Sequence, residues 1–495
     1  MALKVYNTQN RRKEVFEPVN PGKVGIYVCG ITAYDACHVG HARSSVVFDV
    51  IARFFGYRGD AVTFVKNFTD VDDKIIAKAN TLGRTITDIA DQYIREHNED
   101  MDALGVRRPT FAPRATEHID GMIRLIETLL ERELAYVSGG DVYFSVADFP
   151  EYGKLSGRSL DEMMAGARVD VNEKKRNPLD FALWKASKEN EPWWESPWGK
   201  GRPGWHIECS VMSQQYLGDT FDIHGGGEDL VFPHHENEMA QSVGATGKPF
   251  ARYWLHNGFV RVDHEKMSKS LGNISSIREM LKKFHPEVLR LFILQSHYRS
   301  PLDFSEVSIS EARTGLERFY ALLKTAKDIL IAMREGQEDQ APEKWSPTGN
   351  EIIDGLRQLR ERFVEAMEDD FNTARAIGYL FDTVRQVNNY LDLTKKGSPS
   401  PEKVAVIRTA KDIMSEIGGV LGLFQEDPDV YFQQDREREA AKRGLDMNEI
   451  ARLIEARNEA RSRKEWSMAD QLRADLASKG VVLKDGPEGT TWMIE

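Results

Sequence analysis

Apolar positions follow two rhythms along the chain, and the changes between them mark its organisation. Residues 24–28, 61–64 and 221–224 are short, nearly continuous apolar runs that read as buried strands. Residues 42–55 carry their apolar side chains at helical spacing. Strands alternating with helices predict an α/β fold with a parallel sheet, whose ligands bind at the carboxyl ends of the strands. From about residue 117 to residue 203 the pattern breaks. A helix over 119–132 leads to short alternating strands such as 141–146, then to a Trp/Pro-rich stretch at 191–198, which suits an insertion into the sheet domain. Helical periodicity dominates after about residue 310. Linkers are expected at 334–350, at 395–402 with its Gly-Ser-Pro-Ser-Pro run, and at 425–434. In the final helical pair, Ser467 to Asp470 reads as a capping-box variant and Gly480 as a helix stop.

Composition narrows the class. A chain of 495 residues is too long for one core and should divide into three or four domains. No apolar run approaches the ~20 residues of a membrane span, and the first residues lack the apolar stretch of a signal peptide. Three cysteines, Cys29, Cys37 and Cys209, argue against a disulfide framework and for a reducing compartment, so a cytoplasmic location is expected. The net charge of −12 speaks against general coating of nucleic acid. Residues 436–479 reverse the balance, with 11 Lys+Arg against 9 Asp+Glu where the whole chain has 66 against 78. That patch suits either an RNA-contacting module or a helical pair with ordinary ion pairs.

Candidate chemistry sits at the expected strand ends. His38-Val39-Gly40-His41 lies at a strand-to-helix junction, where unpaired N–H groups and a positive dipole end favour a polyphosphate. Lys266-Met267-Ser268-Lys269-Ser270 reads as a cationic loop. Cys29-Gly30, Thr69 and His224 followed by Gly225, Gly226 and Gly227 each end a strand run. Pro233 is expected to open a helix, which puts His234 and Glu238 on one face. Two thiols, an imidazole and a carboxylate are plausible zinc ligands, although packed cysteines and a helix-start histidine fit the same spacing.

The two cationic motifs together resemble the signature pair of class I aminoacyl-tRNA synthetases. Over nearly its whole length the chain resembles the cysteinyl-tRNA synthetases of bacterial type. The resemblance is carried by Tyr27-Val-Cys-Gly-Ile-Thr32, Asn67-Phe-Thr-Asp-Val-Asp-Asp-Lys74 and Gly201-Arg-Pro-Gly-Trp-His-Ile-Glu-Cys-Ser210. Phe221 to Gly227, Phe232 to Glu238, His297 to Ser300, Met367 to Thr373 and Asp485 to Trp492 extend it. The tail after Trp492 departs from it, lacking the usual basic residues.

This resemblance implies a Rossmann-like catalytic domain over 1–116 and 204–250, with an inserted α+β connective subdomain over 117–203. A connecting domain over 251–308 bears the second signature. α-Helical C-terminal domains follow, a tRNA-binding bundle over 309–424 and an anticodon-binding module over 435–495. It implies one Zn²⁺ per chain on Cys29, Cys209, His234 and Glu238, and Mg²⁺ accompanying ATP. His38, His41, Lys266 and Lys269 become the catalytic group; Gly40, Gly225, Gly226, Gly227 and Asp229 join His41 and the lysines around ATP. Cys29, Gly30, Thr69, Trp205 and His224 would hold L-cysteine. The implied partners are ATP, L-cysteine and tRNA(Cys), with no membrane and a monomeric chain. The implied reaction makes cysteinyl-adenylate and passes the cysteinyl group to the tRNA's terminal adenosine, with zinc selecting the substrate thiolate over serine. Cys37 is expected to be a packing residue, and Lys74 to Lys78 a solvated helix face.

Overall fold

Four strands make the parallel sheet in the computed structural model, which describes residues 2–166, 174–262, 265–266, 276–332, 342, 344–394, 400–486 and 489–494. Their spatial order is Ala251–Asn257, Phe221–Gly227, Lys23–Thr32 and Ala61–Thr69, every neighbour parallel. The strands run several residues past the apolar cores visible in the sequence. The sheet also extends to Asn257, beyond the edge expected at residue 250. From Lys23–Thr32 the chain passes outward to Ala61–Thr69 and later returns on the opposite side with Phe221–Gly227. That reversal opens a crevice at the carboxyl ends of the two central strands.

Alternation along the central strand divides the molecule. Val24, Ile26 and Val28 face the helix Val39–Tyr57 and merge with the core of the C-terminal helices. Tyr27 and Cys29 face the other way, into a core shared with the insertion and the helix Trp205–Leu217. The insertion is a four-stranded antiparallel sheet of Ala135–Ser138, Asp141–Phe144, Phe181–Ala186 and Gly201–Pro203. A smaller sheet joins Val260–Val262 to Glu265–Lys266 and Leu302–Phe304.

The helical part contains Glu306–Ile331, Pro347–Glu368, Thr373–Leu393, Pro401–Leu421 and Pro428–Arg443. Ser346 and Ser400 accept the Gly349 and Lys403 N–H groups at 2.9 and 3.2 Å, so the first two linkers end sooner than expected. The linker expected at 425–434 is overturned. Asp427 caps a helix there, proline occupies its first position, and Tyr431 stacks on Tyr320 with ring centroids 3.9 Å apart. The capping box expected at Ser467 is also overturned: the tight turn at Lys464 (φ 65°) lets the helix Trp466–Ser478 begin before it. Its stop at Gly480 stands, with φ 77°. Beyond it an antiparallel hairpin, Val481–Gly486 with Gly489–Ile494, completes a small core built on Ile450, Ile454 and Leu476.

Two buried ionic joints fix the halves together. Asp49, on Val39–Tyr57, pairs with Arg53 at 2.9 Å and with Arg290, whose Nε also donates to the Leu421 carbonyl at 2.7 Å. Asp370, in the left-handed turn before Thr373–Leu393, accepts from Tyr6 N–H at 2.8 Å, Tyr298 Oη at 2.9 Å and Arg299 Nε at 2.7 Å.

Candidate active site and metal centre

The crevice is a cleft of about 610 Å³ whose wall includes Cys29, Gly30, His38, His41, Trp205 and Asp229. Its floor begins at an irregularity in the central strand: pairing with Ala61–Thr69 slips between Val28 and Ile31, where Cys29 and Gly30 sit. A Cβ on Gly30 would lie 1.5 Å from the Asn67 carbonyl oxygen, so only glycine allows this approach. Asn67 Oδ1 accepts the Gly30 N–H at 2.9 Å and secures the bulge.

Cys29 meets one group from each of two helices. Its sulfur is 3.7 Å from Cys209 Sγ, on Trp205–Leu217, and 3.4 Å from Glu238 Oε1, on Glu236–Thr246. His234 Nε2 lies 2.9 Å from the same oxygen. The helix expected from Pro233 starts only at Glu236; a π-helical turn over Val231–His235 precedes it, with extended Phe232 inside. His234 and Glu238 nonetheless share a face. The metal-binding atoms of Cys29, Cys209, His234 and Glu238 all lie within 4.8 Å of one another, and all four residues are buried.

The four groups share protons as one cluster, and a metal would bind them by displacing those protons. Burial pushes the Cys29 thiol well above its ordinary range. Burial acts the same way on Cys209, but hydrogen bonds from Cys29 and His234 outweigh it and hold that thiol at about 6. Burial opposes the charge on His234, yet Glu238 and Cys209 carry it up to about 10. Desolvation opposes the Glu238 carboxylate too, and His224 with His234 holds it well below the usual range. Outer contacts orient the donors: His206 Nδ1 is 2.9 Å from His234 Nδ1, and His224 Nε2 is 2.8 Å from Glu238 Oε2. Cys29, His224, His235 and Glu238 form an overlapping set, but it has one thiol instead of two, and His235 Nδ1 is engaged by His256 at 2.8 Å. The donor chemistry of the first set fits Zn²⁺ better.

On the cleft's other side, His38 caps the helix Val39–Tyr57. Its Nδ1 accepts the Gly40 N–H at 3.1 Å, while His41 Nδ1 accepts the His38 N–H at 3.3 Å. The rings stack with centroids 3.8 Å apart. With Nδ1 accepting, each neutral ring carries its proton on Nε2 and is a donor there. Lys266 is placed by strand pairing opposite Arg261, whereas Lys269 lies outside the described residues. Just downstream, Ile277 N–H donates to the Cys37 carbonyl at 3.0 Å, and Arg278 pairs with Asp100 at 2.9 Å and Glu99 at 2.7 Å.

Other expected site residues separate into rim and underlayer. Gly227 and Asp229 line the cleft. Gly225 and Gly226 lie beneath it, where a Cβ would come within 2.3 Å of the Phe48 ring and 2.9 Å of His235. Trp205 is 39% exposed and stacks on His234 at 4.1 Å, forming a wall beside the metal ligands. Thr69 and His224 are buried behind them; Thr69 Oγ1 donates to Glu208 at 2.7 Å, and His224 stacks on Trp254 at 4.5 Å. Cys37 packs as expected, its sulfur 3.1 Å from His97 Nδ1. The solvated face expected at Lys74–Lys78 holds at Lys74, which is exposed at the edge of the cleft, whereas Lys78 is half-buried and donates to the Tyr34 carbonyl at 2.8 Å and Tyr93 Oη at 2.7 Å. Lys66 also lines the cleft, on a strand too apolar around it to single it out in sequence.

Comparison with known proteins agrees with this geometry. The family description "tRNA synthetases class I (C) catalytic domain" matches residues 15–314, a DALR domain matches 362–425, and a cysteinyl-tRNA ligase anticodon binding domain matches 447–492. A cysteine–tRNA ligase of Syntrophotalea carbinolica is 55% identical over 99% of both chains. One of Geobacter sulfurreducens is 52% identical over the full length of both. In fold, Mycobacterium tuberculosis methionyl-tRNA synthetase, solved with methionyl-adenylate, superposes with a TM-score of 0.63 at 18% identity, covering 86% of this chain and 95% of that one. With a class I catalytic match over residues 15–314 and more than half its positions shared end to end with such an enzyme, the chain belongs to the cysteine–tRNA ligase family.

Proposed function

We propose that this enzyme activates L-cysteine with ATP and transfers it to the 3′-terminal adenosine of tRNA(Cys). One observation carries the reading: two thiols, an imidazole and a carboxylate converge at the floor of a cleft whose rim is the His38–His41 helix start. In the first step a cysteine carboxylate oxygen forms a bond to the α-phosphorus, and the bond to the β-phosphate breaks with its electrons leaving on pyrophosphate. In the second, a ribose hydroxyl oxygen attacks the adenylate's carbonyl carbon, AMP leaves, and the hydroxyl proton departs. The substrate supplies its own nucleophile, so the protein's work is to orient reactants and stabilise charge on phosphate.

The Nε2–H donors of His38 and His41 face that charge, and Lys266, Lys269 and ATP's Mg²⁺ share it. Gly40 keeps the helix start open to adenine, while Gly227 and Asp229 hold the adenosine side. Cys29, Cys209, His234 and Glu238 would hold Zn²⁺, which supplies a soft cation that favours a thiolate over a hydroxyl. Shape alone separates cysteine from serine only ~10–200-fold, whereas a thiol with pKa near ~8.5 ionises far more readily than a hydroxyl. Gly30 and Trp205 bound the amino acid directly. Thr69 and His224 position the pocket from behind, Thr69 through Glu208 and His224 through Glu238.

The test is ATP–pyrophosphate exchange by zinc-loaded enzyme with cysteine and serine in parallel. Exchange with cysteine alone is expected. Stoichiometric zinc without cysteine-dependent exchange would overturn the reading.

A further inference from the structure

One cation of the cleft wall forms no ion pair among the described residues. Lys66 stands on Ala61–Thr69 between Phe64 and Phe68, which pack in the core on the Val39–Tyr57 side of the sheet. Its Nζ donates to Ser45 Oγ at 2.7 Å, and among the described residues no carboxylate lies within ion-pair distance. Asp49, one turn along the helix from Ser45, is already taken by Arg53 and Arg290. The neighbouring Cys37 thiol is neutral, burial pushing it up to about 12. Burial pulls Lys66 down to about 8, which leaves most of it protonated at neutral pH. An ammonium held against a protein wall by one hydroxyl is costly until an anion arrives.

We infer that Lys66 touches substrate, and that its partner is the triphosphate of ATP. The inference rests on the synthetase reading and names a residue that the two signatures leave out. Sheet geometry decides between the anions the reaction offers. Lys66 lies on the face that carries His38, His41 and Ser44, all lining the same cleft wall. The metal ligands, beside which the cysteine would sit, belong to the opposite face with Tyr27 and Val65. As the α-phosphorus gains the carboxylate oxygen and loses the β-phosphate, negative charge grows on the departing pyrophosphate. A fixed ammonium there stabilises that charge with no proton transfer.

The decisive variants are Lys66→Met and Lys66→Arg in full-length, zinc-loaded enzyme, with Mg·ATP and AMP binding measured by calorimetry beside exchange kinetics. Lys66→Met should lower kcat/KM for ATP about 100-fold, the scale of one lost charge-stabilising donor. It should weaken Mg·ATP about tenfold while AMP affinity and the KM for cysteine stay within about twofold, and Lys66→Arg should restore most of the loss. Unchanged exchange, equal weakening of ATP and AMP, or a cysteine KM that rises with the ATP KM would overturn the inference. If Lys66→Met unfolds or loses zinc, Ser45→Ala decides. It keeps the ammonium but frees it, and should weaken Mg·ATP several-fold without touching AMP; no change would count against the inference. The binding arm stands even where wild type shows no exchange, an outcome that overturns the synthetase reading alone.

Discussion

The cleft and the C-terminal module handle polar groups in opposite ways. Around the cleft, His224, His234, His235 and Glu238 are buried and answer one another. In the module, a core of a few apolar residues carries a charged surface, and Trp466, Met468 and Met493 are each more than half exposed. Its main internal polar tie is Arg457, buried itself, which grips Asp485 with two bonds of 2.6 Å. Burial makes each donor's position exact at the cost of intolerance to change. Exposure leaves a surface free to meet a partner. Holding a metal needs the first, and recognition of a large flexible molecule the second.

The largest expected effect breaks the buried side. Cys209→Ser should drop zinc below stoichiometric and reduce cysteine-dependent exchange by more than about 100-fold, since even outer contacts of metal ligands are worth ~10–100-fold. Metal analysis and exchange on the same preparation check this. Next, a chain ending at Gly444 should lose about 30-fold in tRNA charging while exchange changes less than about threefold, because the module's contribution would be RNA contacts. Cutting earlier would spoil the comparison, since it would remove Tyr431 from its stack on Tyr320. Equal loss of both activities in a folded protein would refute the division of labour.

Arg457→Met should act more mildly, costing about 1–3 kcal/mol of module stability and about tenfold in charging. Differential scanning calorimetry should show the lower-melting transition move alone. The last expectation concerns acid. All 12 histidines lie between His38 and His297, so the module after Gly444 has none. Burial, with Lys66 and Arg108 adding to it, lowers His97 to about 3. The unfolded chain therefore binds a proton below pH ~6.5 that the folded chain refuses, and stability falls as pH drops. Each such histidine removes about 1.4 kcal/mol per pH unit between those values. Chemical unfolding from pH 7 to 5 should weaken the catalytic half and leave the module nearly unchanged. A module that weakens first would contradict this.

Much of the cleft was legible because its chemistry is local. His38 to His41 is a capping arrangement four residues long, and the spacing of His234 and Glu238 survives the π-helical turn that displaces the helix start. What stayed hidden depends on partners far away in sequence. Lys66 means little until Ser45 and the cleft wall stand beside it. Lys78 reads as solvated because Tyr34 and Tyr93 approach it from other elements. Met367 to Thr373 carried the resemblance as a motif without revealing that Asp370 is wholly buried and binds Tyr6, Tyr298 and Arg299. The terminal hairpin was hard to read because each strand is six residues long with its apolar residues bunched at one end, and leans on a core of only a few residues.

The Asp370 joint also has a consequence in time. Tyr6 donates to a carboxylate 364 residues further along, so during synthesis at ~5–20 residues per second it waits about 20–70 s for its partner. Leu3 and Val5, buried in the finished protein, stay without their full cover for that interval. The amino terminus is thus made first and fastened late. A ribosome-bound chain stopped before Asp370 should leave this end open to protease, and one extended past the Thr373–Leu393 helix and out of the exit tunnel should protect it.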